Sequence, residues 1–153
     1  ILAGNFSNGQ GGIVTLDDEL TLPYILICYE IIFTEILHSQ DQNTNFILNI
    51  TNDAWFGQSS GPYQHFSMSI LRAVERGLPV VRVANTGISG VIDSFGRVVI
   101  KSKLNTEYYN KAILPQKTGI TFYTKYGYYF LFSVLLLCFL LIYCLNKKLV
   151  SKK

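Results

Sequence analysis

Cys28 is the residue with the most chemistry to offer. It stands in Leu26-Ile27-Cys28-Tyr29-Glu30, between an apolar run behind Pro23 and a segment, Ile31 to His38, that resumes at helical spacing. That pattern places the thiol at a strand end, just before a helix. A nucleophile on such a turn projects from the sheet edge, and the backbone N–H groups after it can face a developing oxyanion. A helix N-terminus beside a thiol also favours the thiolate, which is the reactive form. Free cysteine is equally at home as a small buried hydrophobe, so spacing alone leaves catalysis and packing both open.

Three other stretches carry candidate groups. Thr51-Asn52-Asp53-Ala54-Trp55-Phe56-Gly57 holds the single Trp of the chain. Asn52 and Asp53 are good turn and N-cap residues, while Trp55 and Phe56 either plug the end of the core or line a pocket beside the thiol. His65 lies near the start of a helical pattern, where it is a hydrogen-bonded packing residue or the base of a Cys–His dyad. Arg82 interrupts the apolar run Val80-Val81-Arg82-Val83-Ala84, which calls for a paired buried ion or a rim position facing a polar ligand; structural pairing is the favoured choice.

The elements that must position these groups follow from periodicity. Leu20 to Ile27 reads as the strand carrying Cys28, and Ile13 to Leu16 as a shorter strand able to form a hairpin with it across Asp17-Asp18-Glu19. Phe46-Ile47-Leu48-Asn49-Ile50 is a second buried strand beyond a polar loop, Gln40 to Asn45. Strand, helix, strand at this spacing is a βαβ unit, so the two strands pair in parallel within an α/β fold. Ligands bind at the ends of parallel strands, which puts Cys28 and the segment after Ile50 on one rim. Gly61-Pro62 starts a helix from about Tyr63 to Arg76, with Phe66, Ile70, Ala73 and Val74 on its inner face, Arg72, Glu75 and Arg76 outside, and Gly77 ending it. Val80 to Ala84 is a further buried strand. Ile88 to Asp93 and Val98 to Ile100 form a hairpin about Ser94-Phe95-Gly96, and Lys111 to Leu114 is a possible edge strand.

Composition narrows the classes of function. Of 153 residues, 49% are hydrophobic, enough for a sizeable core. The formal charge of +3 is a property of the tail. Up to Asn146 there are nine basic and ten acidic side chains, and Lys147, Lys148, Lys152 and Lys153 supply the rest. No basic, aromatic-interleaved face points to nucleic acid. Cys28, Cys138 and Cys144 make no disulfide framework, and no Cys or His spacing suggests a metal site. Gly9-Gln10-Gly11-Gly12 lacks the strand before it and the Gly-Lys-Ser after it that a phosphate loop needs. The chain begins with Ile1 and has Met68 as its one methionine, so it is expected to be the C-terminal part of something longer.

The chain changes character at Tyr126. Tyr128 to Leu145 is eighteen residues without a charge, nearly all Leu, Phe, Tyr, Val, Ile or Cys. At about 1.5 Å per residue this length matches a hydrocarbon core of roughly 30 Å. Tyr126, Tyr128, Tyr129 and Tyr143 sit where interfacial aromatics belong, and the lysine tail favours the cytoplasm. Residues 1–117 then form a domain on the outer, periplasmic face, 118–125 a tether, 126–146 a transmembrane helix and 147–153 a cytoplasmic basic tail.

Taken together, Cys28-Tyr29-Glu30, Asn52-Asp53-Ala54-Trp55-Phe56-Gly57, Gly61-Pro62-Tyr63-Gln64-His65, Arg72-Ala73-Val74-Glu75 and Asn85-Thr86-Gly87-Ile88-Ser89 resemble, in order and spacing, the bacterial apolipoprotein N-acyltransferases, membrane-bound members of the nitrilase (carbon-nitrogen hydrolase) superfamily. The resemblance runs from about Phe6 through the terminal apolar segment. It implies an α/β fold, the C-terminal half of a nitrilase-like α-β-β-α sandwich followed by one transmembrane helix in the bacterial inner membrane. It implies no cofactor, and transfer of a fatty acyl group from a phospholipid such as phosphatidylethanolamine to the α-amino group of an apolipoprotein's diacylglyceryl-cysteine. The intermediate would be a thioester on Cys28. The Tyr29 N–H would serve the oxyanion, Glu30 would be a carboxylate needed around the site, and Asn52, Asp53, Trp55 and Phe56 would bind substrate.

The chain also departs from the family. The nitrilase triad is Glu, Lys and Cys, and the first two precede the Cys by a long stretch. Between Ile1 and Cys28 there is no Lys, and Glu19 is too close. The missing N-terminal half is therefore an expected partner, and the chain alone is expected to be inactive and marginally stable. Two alternatives stand beside the acyltransferase: a nitrilase-type amidase acting on a small amide, and a degenerate split-gene product without activity.

Overall fold

A computed structural model describes residues 23–39 and 43–150, and of residues 38, 39 and 145–150 it describes the backbone alone. The Gly-rich start, the Ile13 to Leu16 strand with its hairpin, and the Gln40 to Gln42 part of the polar loop lie outside the described residues. The described chain divides into two units, Ile1–Gly119 and Ile120–Lys153.

The first unit is built on one five-stranded sheet in the order β1-β2-β3-β4-β5. β1 is Pro23–Ile27, β2 Phe46–Asn52, β3 Val80–Asn85, β4 Gly90–Ile92 and β5 Val98–Lys101. The first three are parallel, with Leu26 beside Asn49 and Asn49 beside Arg82, and the last two turn antiparallel as a hairpin. Side chains on a strand alternate faces. Tyr24, Leu26, Ile47, Val80 and Ile92 point to the buried face and pack with Phe66, Ala73 and Leu78, each essentially excluded from water. A fully buried aliphatic side chain of this kind contributes roughly 1.5–3 kcal/mol.

α1, Gly61–Arg76, covers that face. It begins with Pro at its second residue, where the ring costs no hydrogen bond, and ends at Gly77 in the left-handed conformation, φ 65°, which an L side chain adopts only with strain. Its polarity departs from expectation. Arg72 and Arg76, expected outside, are buried, while Val74, expected inside, is 48% exposed.

The reason lies in the β1–β2 crossover. A helix is expected over Ile31 to His38, but the chain forms two short 3₁₀ turns instead, Cys28–Ile32 and Glu35–Ser39. Ile31, Ile32 and Thr34 are β-branched and weaken an α-helix. The carbonyls that such a helix would use internally have other donors. Arg72 Nε donates to Ile31 O at 3.0 Å, Arg76 to Thr34 O at 2.7 Å, and the Tyr24 hydroxyl to Ile36 O at 2.8 Å. Buried carbonyls need partners, and long cationic side chains on α1 reach two of these while the Tyr24 hydroxyl reaches the third.

The stretch after β5 also differs from expectation. Lys111 to Leu114 forms no strand; residues 106–121 have neither helix nor strand, and Ile113 is 92% exposed. Pro115 and the lack of an apolar surface under Ile113 leave this segment nothing to pair with.

In the second unit, α2 spans Phe122–Tyr126, from the expected tether into the first residue of the expected transmembrane segment, with the Thr121 hydroxyl accepting from Thr124 N at 3.0 Å as its cap. α3 spans Tyr129–Val150. Phe122 contacts Tyr126 and Phe130 ring to ring at 4.6 and 5.0 Å, joining the two helices. The apolar side chains from Tyr129 to Tyr143 are exposed. Among the described residues, no helix is long and apolar enough to cross a membrane.

Candidate active site

The end of β1 and the end of β2 lie side by side, Ile27 opposite Ile50, so the thiol of Cys28 and the segment after Ile50 share one rim, as the parallel pairing requires. Cys28 is partly exposed and unpaired. Its backbone is left-handed, φ 52°, one of three described non-glycine residues with positive φ. This conformation costs a β-carbon-bearing residue roughly 1–2 kcal/mol and survives only where its surroundings hold it. It turns the chain sharply off the strand, so that a 3₁₀ turn rather than an α-helix starts at the cysteine.

Glu30 and Tyr29 flank the thiol in different ways. The Glu30 carboxylate accepts from Ile27 N at 2.7 Å and pins the turn. The Tyr29 ring is 46% exposed, stacks on His65 with centroids 5.2 Å apart and meets Phe56 edge-on at 5.9 Å. His65 and Phe56 are also in ring contact at 5.8 Å. Residues from three separate segments thus converge beside Cys28.

Beneath them runs a buried polar network. His65 Nδ1 is 2.9 Å from Asp53 Oδ1, and Arg82 donates to Asp53 Oδ2 at 2.8 Å. Arg82 also bonds Asn49 Oδ1 and, through Nε, Ile88 O at 3.2 Å. Asn49 Nδ2 faces two carbonyls, Leu26 O at 3.0 Å and Cys28 O at 3.4 Å. Gly87 is what lets the network close: a β-carbon there would come within 2.7 Å of the Asp53 side chain. Burial pushes Asp53 up, but the His65 hydrogen bond and the Arg82 charge together hold it below the ordinary carboxylate value. Burial lowers Arg82, opposed by the charges of Asp53 and Cys28.

The expected site residues fare differently. Arg82 is the paired buried ion expected of it. His65 bonds Asp53 rather than acting visibly on Cys28, and its Nε2 is buried without a partner among the described residues. Asp53 stands at the N-cap of the Ala54–Phe56 3₁₀ turn, but its side chain makes no cap bond and is 2% exposed, since pairing with Arg82 draws it into the core. Asn52 does shape the turn, its Oδ1 accepting from Ala54 N at 3.1 Å and from Asn85 Nδ2 at 3.2 Å. Phe56 packs on Tyr29 and His65. Trp55 neither plugs the core nor lines a pocket here, standing 84% exposed. Asn49 is the residue that sequence reasoning passes over; a polar side chain at a buried position of Phe46-Ile47-Leu48-Asn49-Ile50 is its signal.

The arrangement supplies a thiol on a strained elbow, fixed from behind by a hydrogen-bonded ion pair, and no acid or base among the described residues bonded to it. The carbon-nitrogen hydrolase family profile matches residues 6–119. The apolipoprotein N-acyltransferase of Rickettsia bellii is 44% identical over 97% of this chain and 30% of its own length. That of Rickettsia prowazekii is 42% identical over 93% of this chain and 29% of its own length. The chain thus spans about three tenths of these relatives. The crystal structure of Saccharomyces cerevisiae Nit3, a member of branch 10 of the nitrilase superfamily, shares the fold with a TM-score of 0.52 at 21% identity, covering 66% of this chain and 40% of that one. The chain belongs to the carbon-nitrogen hydrolase family, and its homologues are apolipoprotein N-acyltransferases.

Proposed function

We propose that this chain carries the nucleophile of an apolipoprotein N-acyltransferase. The observation that supports this most directly is Cys28, a partly exposed thiol held in a left-handed elbow at the rim of the parallel strands, in a chain homologous to those enzymes. The Cys28 thiolate attacks the ester carbonyl of a phosphatidylethanolamine-like donor, and the lysophospholipid leaves as its alcohol after taking up a proton. The α-amino group of an apolipoprotein's lipidated cysteine then attacks the thioester, an amide forms, and the thiol is released. A thioester keeps the acyl group activated toward an amine between the two steps.

In this proposal the Glu and Lys of the triad come from an N-terminal half of the enzyme, which is the partner this chain needs. A second observation that supports this reading is an apolar sheet face that no described element of the first unit covers. Ile25, Ile27, Leu48, Ile50, Val81 and Val83 lie in register on the side away from α1, and Ile27, Ile50 and Val83 are each about half exposed. The long apolar segment Tyr128 to Leu145 is the membrane anchor in this proposal, with the lysine tail cytoplasmic and the site on the outer face. In this reading Trp55, 84% exposed, meets lipid, Phe56 supports it beside Tyr29 and His65, and Asn52 and Asp53 shape the loop that carries them.

The test is intact-mass analysis of Cys28 in phosphatidylethanolamine vesicles, with and without the N-terminal half co-expressed. A hydroxylamine-sensitive acyl adduct that appears with both halves and is lost in Cys28→Ala is the expected result. Hydrolysis of small amides without any lipid-derived adduct would favour an amidase instead, and assembled halves with neither activity a degenerate product.

A further inference from the structure

The buried network has a cost that stability does not explain. Arg82, Asp53 and Asn49 are each no more than 2% exposed. Taking an ion pair out of water costs several kcal/mol per ion, and well-packed hydrophobic residues often do as well or better in its place. What the network does contribute is a set of contacts that ends at the cysteine. Arg82 and Asn49 are register partners on adjacent strands, and Arg82 fixes Asn49 Oδ1. That leaves the Asn49 amide N–H₂ directed at Leu26 O and Cys28 O, the carbonyls on either side of the turn. Asp53 holds Arg82 from the other end, and His65, on Asp53, stacks on the ring of Tyr29. Both flanks of Cys28 are therefore tied to one ion pair.

We propose that Asn49 and Arg82 are positioning residues for the nucleophile: Asn49 holds the left-handed backbone of Cys28 by donating to the carbonyls around it, and Arg82 orients Asn49 by donating to its Oδ1. Neither touches the reacting atoms. This deepens the acyltransferase proposal and rests on it only for the kinetic half of the test below. An elbow that relaxes toward an extended conformation moves the thiol, and a displacement of about 1 Å can cost about 10²-fold in rate.

The variants are Asn49→Asp, which keeps the shape and the acceptor for Arg82 while removing the donor and adding a negative charge, and Asn49→Ala, which removes the donor without adding charge; Arg82→Lys accompanies them. Two readouts are taken in a Cys138→Ser, Cys144→Ser background that leaves Cys28 as the one thiol. The first is the ¹³C chemical shifts of Cys28 Cα and Cβ in the full 153-residue chain in lipid nanodiscs, which report its backbone conformation without any substrate. Asn49→Asp is expected to move them from left-handed toward extended values, while the urea midpoint shows that the chain stays folded. The second is single-turnover thioester formation with the N-terminal half present, normalised to the folded fraction. The expected loss is about 10–100-fold in kcat with KM within about two-fold. Unchanged Cys28 shifts in folded Asn49→Asp overturn the proposal, as does a lost rate that normalisation to folded protein restores. If wild type forms no thioester, the acyltransferase reading fails, and the shifts still decide the positioning role.

Discussion

Asp53 makes the pH dependence of this site predictable in sign. Its folded-state pKa lies below its ordinary value, against about 3.9 for an unfolded aspartate. The stability it contributes is therefore fully present above about pH 3.9 and is lost as pH falls through the lower, folded-state value. Asp53→Asn leaves the Arg82 charge buried with its main counterion gone, which costs roughly 3–5 kcal/mol at neutral pH. Urea midpoints of wild type and variant should differ most at pH 7 and converge toward pH 3. Asp93, also lowered, and Glu75, raised by burial, are common to both proteins and drop out of the difference. A gap that stays constant or widens on acidification would show that Asp53 is not ionised in the fold. At this scale the sequence names the anomalous residues without naming their partners. Arg82 inside Val80-Val81-Arg82-Val83-Ala84 demands a counterion, but Asp53 lies 29 positions away and a turn role accounts for it equally well. Only the strand register, Asn49 beside Arg82, brings the two together.

Elements were legible where a single periodicity ruled them. The parallel β1–β2 pair, the helix ending at Gly77 and the hairpin about Ser94-Phe95-Gly96 all follow from local pattern. The crossover did not, because Ile31 to His38 has helical spacing while its carbonyls bond to distant side chains. That tertiary override also inverts α1: Arg72 and Arg76 look like a solvated face until the turns that need their donors are in place. Arg76→Met tests the account. It keeps much of the side-chain volume and removes the donor to Thr34 O, costing about 1–3 kcal/mol. Amide exchange should rise selectively over residues 31–37, with β2 and β3 amides still protected to the global limit. Equal acceleration throughout the sheet would mean that the arginine serves the core generally and not the crossover.

At the scale of the molecule, the described elements of the first unit cover the sheet on one side only. Ile25, Ile27, Leu48, Ile50, Val81 and Val83 form a patch three strands wide, and the same alternation that predicts a buried strand predicts both of its faces, so the sequence could not say which one lacks a cover. Full apolar runs such as Phe46-Ile47-Leu48 are what a sheet covered on both sides requires. The exposed row of the patch, Ile27, Ile50 and Val83, marks either a partner surface or a site of self-association. Because Ile50 is 45% exposed at the centre of the patch, replacing it separates those outcomes from folding. Ile50→Ser should change the stability of the chain by no more than about 0.5 kcal/mol, the usual range for surface positions. It should also reduce self-association of the chain alone in sedimentation. Co-purification with the N-terminal half should fall by about ten-fold or more, because a polar group buried without a partner at the centre of an interface costs about 1–3 kcal/mol beyond the lost apolar contact. Assembly that survives Ile50→Ser unchanged would mean that the proposed N-terminal half docks elsewhere, and that this face is covered by something else.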